Sequence, residues 1–156
     1  MESISFVADV HLGKLARNLR MLGFDTVYQH NFTLDNLVKI AIEEKRVLLS
    51  RNAALLKNSS ITFFWIENEE PLKQLGAVVD HFDLGNRFSP FTRCLICNGQ
   101  LMIIEKEMIV SQLEENTASY YHEFWQCSNC KRVYWKGAHY KRMQKLLSFL
   151  KSSGRK

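Results

Sequence analysis

Along residues 4–82 the apolar positions change period several times. ISFVA (4–8) is a short apolar run that predicts a strand, and Asp9 follows it at once. From His11 to Gly23 the spacing becomes helical. Leu12, Leu15, Ala16, Leu19 and Leu22 share one face, with Lys14, Arg17 and Arg20 on the opposite side. Gly23 suits the stop of that helix. FDTVYQH (24–30) reads as a second strand. Leu34, Leu37, Val38, Ala41 and Ile42 predict a second amphipathic helix, with Thr33 as its N-cap. RVLLS (46–50) is a third strand. ITFFWI (61–66) is a fourth, so apolar and aromatic that burial on both faces is expected. Residues 69–82 read as a third helix, carrying Leu72, Leu75, Val78, Val79 and Phe82, with Pro71 tolerated in its first turn.

Strands alternating with helices predict an α/β fold, a mainly parallel sheet covered on both sides. DLGNRFSPFTR (83–93) breaks the alternation with Gly85 and Pro90. A boundary there gives a first domain over 1–90 and a second over 91–156. In the second, LMIIE and MIV are short β-like runs, and EFWQC and RVYW flank a pair of cysteines. A last helix, from about His139 to Leu150, carries Met143, Leu146, Leu147 and Leu150 on one face. Residues 154–156 are expected to be disordered. There is no internal repeat and no low-complexity tract.

Composition adds little, because 46% apolar and 24% charged residues are ordinary for a globular chain. No run of about 18 apolar residues predicts a membrane span. MESISFVADVHLGK has no basic segment leading into an apolar one, so no secretory signal is read and the cytoplasm is the expected compartment. Charge is more informative. The chain carries +5 overall, yet residues 131–156 hold nine Lys or Arg and no Asp or Glu. Such a run is either a solvated face or a surface that meets a polyanion, of which nucleic acid is the commonest in a cytoplasmic protein.

The cysteines form two CxxC pairs, Cys94/Cys97 and Cys127/Cys130, with none left over. A redox pair is one reading. Two pairs flanked by strands favour a closed structural zinc site, which needs four ligands and compensates for a small core. The site would hold a surface comprising Trp125, Tyr134, Trp135 and the basic run KGAHYKRM (136–143). Aromatic residues among cations fit a nucleic-acid strand, since bases stack and phosphates pair; the aromatics would equally serve as the module's core. Lys136, Lys141 and Arg142 are candidate phosphate contacts, and His139 is a proton donor or phosphate ligand.

The carboxylates are less distinctive. Asp9 is either an N-cap or a metal ligand at a strand end. Asp35, in the first turn of the second helix, is favourable for the helix dipole or is a second ligand. Asn52 stands at the end of the third strand. Glu67, after the fourth, is a third possible carboxylate or a solvated loop residue. Converging at one sheet edge, these would bind Mg²⁺ or Mn²⁺, which take oxygen ligands. Lys14, Arg17 and Arg20 would lie close by.

Four stretches, FVADVHLGKLARNLRMLGFDTVY, RVLLSRN, FTRCLICNGQL and CSNCKRVYWKGAHYKRM, in that order over roughly residues 4–143, resemble the RNase-like family named for the C-terminal domain of the mut-seven exonuclease. That family joins a PIN-like nuclease fold to a zinc ribbon. The resemblance implies a PIN-like three-layer α/β/α domain, then a small zinc-ribbon module and a C-terminal helix. It implies metal-dependent cleavage of RNA. Asp9 matches the acidic residue after the family's first strand, and Asp35 the one opening its second helix. Arg51 matches the arginine of its Thr-Arg-Asp ending. Ser50 replaces the threonine, and Asn52 replaces the aspartate. An amide oxygen can coordinate a cation but brings no charge, which weakens metal affinity and removes a base for orienting water.

Two functions follow as expectations. The first is a Mg²⁺- or Mn²⁺-dependent ribonuclease, with Asp9 and Asp35 as ligands, Asn52 as a weak or indirect one, and the ribbon gripping RNA. The alternative is an RNA-binding adaptor with a degenerate active site. A third reading is a protein-interaction module whose basic tail meets an acidic protein. No protein partner is legible.

Overall fold

The structure, a computed structural model, describes residues 2–153. Residues 154–156, expected to be disordered, lie outside the described residues. Four parallel strands form the first sheet: β1 (Phe6–Ala8), β2 (Thr26–Val27), β3 (Val47–Ser50) and β4 (Phe63–Trp65), in the order β2-β1-β3-β4. Alternate side chains serve opposite faces. Phe6, Ala8, Val47 and Leu49 pack with α1 (Gly13–Met21) and α3 (Pro71–His81). Val7 and Leu48 pack with α2 (Leu34–Glu43) and Leu55. Both faces are therefore apolar at a period of two, and the outcome is three layers, α/β/α.

Local chemistry sets the helix ends. Asp9 caps a 3-10 turn, Val10–Leu12, that leads into α1. Thr33 and Asn36 form a reciprocal capping box at the start of α2, and Pro71 occupies the first turn of α3. At the end of α1 the Phe24 amide donates to the Leu19 carbonyl and the Gly23 amide to that of Arg20, both at 2.9 Å. That pairing needs a left-handed residue, and Gly23 has φ +97.

Two strands differ from expectation. The run 24–30 pairs only at Thr26–Val27, because Phe24 turns into the core against Phe6 and Phe88 and the Tyr28 hydroxyl donates to the Val10 carbonyl. β4 is not buried on both faces: it is the edge of the sheet, Phe63 and Phe64 are half-buried, and Trp65 is 38% exposed.

Beyond residue 90 a second, antiparallel sheet has the order β5 (Leu101–Ile104), β6 (Phe124–Cys127), β7 (Val133–Tyr134). MIV (108–110) is not a strand. It lies across two 3-10 turns, Lys106–Met108 and Val110–Gln112, that bury Ile109, and α4 (Glu115–Tyr120) follows. The last helix, α5 (Ala138–Ser153), returns to pack on α3, and its Leu150 belongs to the core on the α1/α3 side. The second segment thus supplies a helix to the first sheet's core.

Asp25 fastens the two sheets together. It pairs with Arg46 at 2.8 Å, accepts from Asn98 Nδ2 at 2.7 Å and lies 3.8 Å from Arg93. Asn98 Oδ1 in turn accepts from the Thr26 amide at 3.0 Å, so one side chain of the second module occupies backbone positions beside β2. Burial works to raise the Asp25 pKa, but the bonds from Arg46 and Asn98 and the charges of Arg46 and Arg93 outweigh it and hold the carboxyl below its ordinary value. A carboxyl depressed on folding stabilises above its unfolded pKa, about 3.9, and that contribution is lost as pH falls through the lowered native value. Asp25→Ala should therefore cost about 2 kcal/mol at pH 7, because it takes one of two carboxylates from the Arg46 guanidinium and leaves Asn98 Nδ2 without its acceptor. In urea unfolding followed as a function of pH, the gap between wild type and Asp25→Ala should narrow below about pH 4. A gap that does not change with pH would overturn this account.

Candidate functional site

Two chemically different centres emerge, one of sulfur and one of oxygen. The four cysteine sulfurs lie within 4.8 Å of one another, with Cys94 Sγ to Cys130 Sγ at 3.7 Å and Cys97 Sγ to Cys127 Sγ at 3.4 Å. Sulfurs at the corners of a tetrahedron with Zn–S bonds of about 2.3 Å stand about 3.8 Å apart. A disulfide needs about 2.05 Å, so these sulfurs are spaced for a metal and not for each other.

The two cysteine turns are built alike. The residue after each pair is left-handed, Asn98 at φ 69 and Lys131 at φ 65. The Asn98 amide donates to the Cys94 carbonyl at 3.0 Å, and the Lys131 amide to that of Cys127 at 3.1 Å. Amides then aim at sulfur: Gly99 N at Cys97, and Asn129 N and Cys130 N at Cys127, all at 3.4 Å. A Cβ on Gly99 would stand 2.6 Å from Cys127 Sγ, so only glycine admits that sulfur. Burial works to raise the Cys97 pKa, but hydrogen bonds from Asn129, the Gly99 amide and the neighbouring thiols bring it down to about 6. Such a thiol readily loses its proton to solvent, and the thiolate left is the form that binds a cation. The donor set fits a closed structural zinc site, with no position left for a substrate.

The oxygen centre lies at the carboxyl ends of β1 and β3. In the order β2-β1-β3-β4 the connections from β1 and β3 leave in opposite directions, so the crevice between those two ends is the topological switch point where α/β sheets take ligands. Asp9 and Asn52 stand on its two sides. Asp9 Oδ1 accepts from the Val10 amide and Oδ2 from Ser50 Oγ, each at 2.6 Å. Ser50 Oγ, fully buried, accepts from the Asn52 amide at 3.0 Å. The serine thus ties Asp9 to the loop after β3. Asn52 Oδ1 accepts from the Ala54 amide at 3.1 Å and caps the 3-10 turn Ala53–Lys57. The capping and ligand readings of Asp9 are compatible, since each oxygen keeps a free lone pair.

The other carboxylates do not join it. Asp35 is exposed in the first turn of α2, and Glu67 is exposed after β4, where its carbonyl meets Arg51 Nη2 at 3.5 Å. Among the described residues the four cysteines are the group of three or more possible ligands that converges, and Asp9, Asp35 and Glu67 form no such group. Arg51 also reaches Glu69 at 3.6 Å, and its carbonyl accepts from Trp65 Nε1 at 3.3 Å.

The basic residues divide. Lys14, Arg17, His139, Lys141 and Arg142 are exposed. Arg20 is 5% exposed, and this corrects its expected place beside the phosphates. Its guanidinium donates to the carbonyls of Thr26, Leu95 and Ile96 at 2.9, 3.0 and 3.1 Å, so it anchors the first cysteine turn to α1. Burial lowers its pKa, against the opposing pull of Cys94, Cys97 and Asp25. Lys136 sits 5.3 Å from the Tyr140 ring centre and 5.9 Å from that of Trp125, and pairs with Glu123 at 3.3 Å. Trp125 in turn leans on Phe91 at 4.3 Å, and the Tyr134 hydroxyl lies 3.0 Å from Cys94 Sγ. The aromatics therefore build the module's core while keeping edges at its surface. Arg93 and Arg132, which line the same hollow as Arg17, escaped sequence reasoning, since neither stands in the basic run of the last helix.

Among the described residues no helix is long and apolar enough to cross a membrane. Comparison with curated proteins finds no match. The model of the Mut7-C RNAse domain matches residues 4–147, nearly the whole chain, so the chain belongs to that family of ribonuclease-type domains.

Proposed function

We propose that this protein is a metal-dependent ribonuclease that hydrolyses RNA phosphodiesters at the crevice between β1 and β3, with Asp9 as its principal metal ligand. The observation that carries this reading is the Asp9 carboxylate, oriented by buried Ser50 at 2.6 Å at the switch point of the sheet. Mg²⁺ is held by one or two carboxylates with waters and substrate phosphates completing its shell, so a single fixed aspartate fits it. Bound there, such an ion would polarise a phosphate and lower the pKa of a water. Asp9 would hold the ion, Ser50 would hold Asp9, and Asp35 would lend negative charge from the first turn of α2. Asn52 would be a weak or indirect ligand, Glu67 is peripheral in this scheme, and Lys14 and Arg51 draw the RNA backbone towards the edge. A reducing compartment such as the cytoplasm would keep the four thiols available to zinc.

Asn52, whose amide caps the 3-10 turn after β3 and brings no negative charge, supports a second reading, an RNA-binding adaptor with a silenced site. One experiment separates the two. Labelled single-stranded RNA is incubated with Mn²⁺ or Mg²⁺, using wild-type protein and Asp9→Asn purified in parallel. Metal-dependent cleavage should fall by roughly a hundredfold or more in Asp9→Asn, the loss of a charge-stabilising group. Asn52→Asp should keep the fold, because aspartate caps as well as asparagine, and should raise the rate. Equal cleavage by wild type and Asp9→Asn would sink the nuclease assignment. Cleavage seen only in Asn52→Asp would establish the adaptor.

A further inference from the structure

A large hollow is lined by none of the residues at the carboxylate edge, Asp9, Ser50 or Asn52. It opens between the C-terminal half of α1, β7 and the start of α5, and holds about 510 Å³, within the ~300–1,000 Å³ range of small-ligand sites. Its walls are aromatic, with Tyr121, Trp135 and Tyr140 among them, and Arg17 from α1 and Arg93 and Arg132 from two loops line it as well. Among the described residues lining it there is no carboxylate. Arg93 is partly engaged, donating to the Asn98 carbonyl at 3.2 Å. Arg17 and Arg132 have no ion-pair partner among the described residues. Gly137 lets the Trp135 indole fold close over the backbone, since a Cβ there would stand 2.8 Å from Nε1.

Unpaired guanidiniums ask for an anion, and flat aromatic walls ask for a ring. A nucleotide carries both in one unit. We propose that this hollow takes one unstacked nucleotide of a single-stranded RNA, its base among Tyr121, Trp135 and Tyr140 and its phosphate on Arg17 and Arg132. The inference rests on RNA being the substrate and not on cleavage. Base stacking on an aromatic is tolerant of sequence, so the hollow selects strandedness: a paired base cannot enter it. α1 links the two places, because Asp9 lies just before its start and Arg17 is four residues beyond Gly13, about 6 Å along the axis. A strand lodged in the hollow is thereby led along α1 towards the switch point.

The test is a binding measurement in the Asp9→Asn protein, zinc retained, without added Mg²⁺ or Mn²⁺, so its result does not depend on whether the enzyme cuts. The probes are adenosine monophosphate, adenosine, inorganic phosphate, a single-stranded oligoadenylate and an RNA duplex. Adenosine monophosphate should quench tryptophan fluorescence saturably and displace the oligoadenylate, while the duplex displaces neither. Arg17→Ala with Arg132→Ala, both at exposed positions, should weaken the monophosphate and the oligoadenylate alike by about tenfold or more. Three results would overturn the proposal: phosphate competing as well as the nucleotide, Arg variants that bind both ligands unchanged, or monophosphate binding that the oligoadenylate does not contest.

Discussion

Stripping the metal from the four cysteines should unfold the second module and loosen the first. In protein purified without added metal we expect about one zinc per chain, released stoichiometrically to a chelating dye when the thiols are modified. Cys127→Ser should do the same genetically. Cys127 is fully buried, accepts from two backbone amides, and faces Cys97 at 3.4 Å. The β5-β6-β7 sheet has strands of two to four residues, and a module with so small an apolar interior is expected to need its metal to stay folded. Structural zinc is worth on the order of 10 kcal/mol in small modules. Its loss should remove the antiparallel signal, free Arg20 and Asn98 from their partners, and lower Tm by more than 10 °C at roughly 2–4 °C per kcal/mol. Cobalt reconstitution gives a direct check, since four thiolates produce an intense tetrahedral spectrum. An unchanged melt after complete metal removal would refute the structural role.

The second large effect concerns two glycines that should answer an alanine substitution with opposite sign. At Gly23 an added Cβ would collide with the Ser89 carbonyl, and φ +97 is strained for any residue with a side chain. Ser89 cannot retreat freely, since its amide donates to the Leu22 carbonyl at 2.8 Å. The dihedral penalty of about 1–2 kcal/mol and a steric displacement of about 1–3 kcal/mol together predict roughly 3 kcal/mol of destabilisation. Gly76 lies inside α3 with nothing within 4 Å of a Cβ, so Gly76→Ala should stabilise by roughly 0.5–1 kcal/mol through helix propensity. Urea denaturation of both variants decides the matter. A Gly23→Ala protein as stable as wild type would mean that the α1 stop is not held as described.

What the sequence made legible follows from how local each signal is. α1, α2 and α3 announce themselves through i, i+3, i+4 spacing, and the capping box at Thr33 is complete within four residues. The cysteine pairs need only spacing and flanking strands. Arg20 shows where periodicity fails. Its place opposite the leucine stripe is right, but that side of α1 is covered by a turn about 75 residues away. No local pattern reports such a cover. Asp25 likewise reads as one polar position of a short strand until Asn98, Arg46 and Arg93 gather round it. Asp9 is legible as a carboxylate directly after a strand, a local feature. The role of Ser50 in aiming it, and the absence of convergence with Asp35 and Glu67, belong to the sheet as a whole.

The return of α5 to α3 bears on how the chain is made. Synthesis runs from the N-terminus at about 5–20 residues per second, and domains ordinarily condense as they emerge. Here the side of α3 that receives Leu150 stays open until the final helix has left the ribosome. Between the two runs the cysteine module, which must gather its metal before α5 is brought to the right place. A cell short of zinc would therefore accumulate nascent chains with an open apolar face on the first sheet's side, a target for chaperones and proteases, although the four cysteines lie outside that sheet.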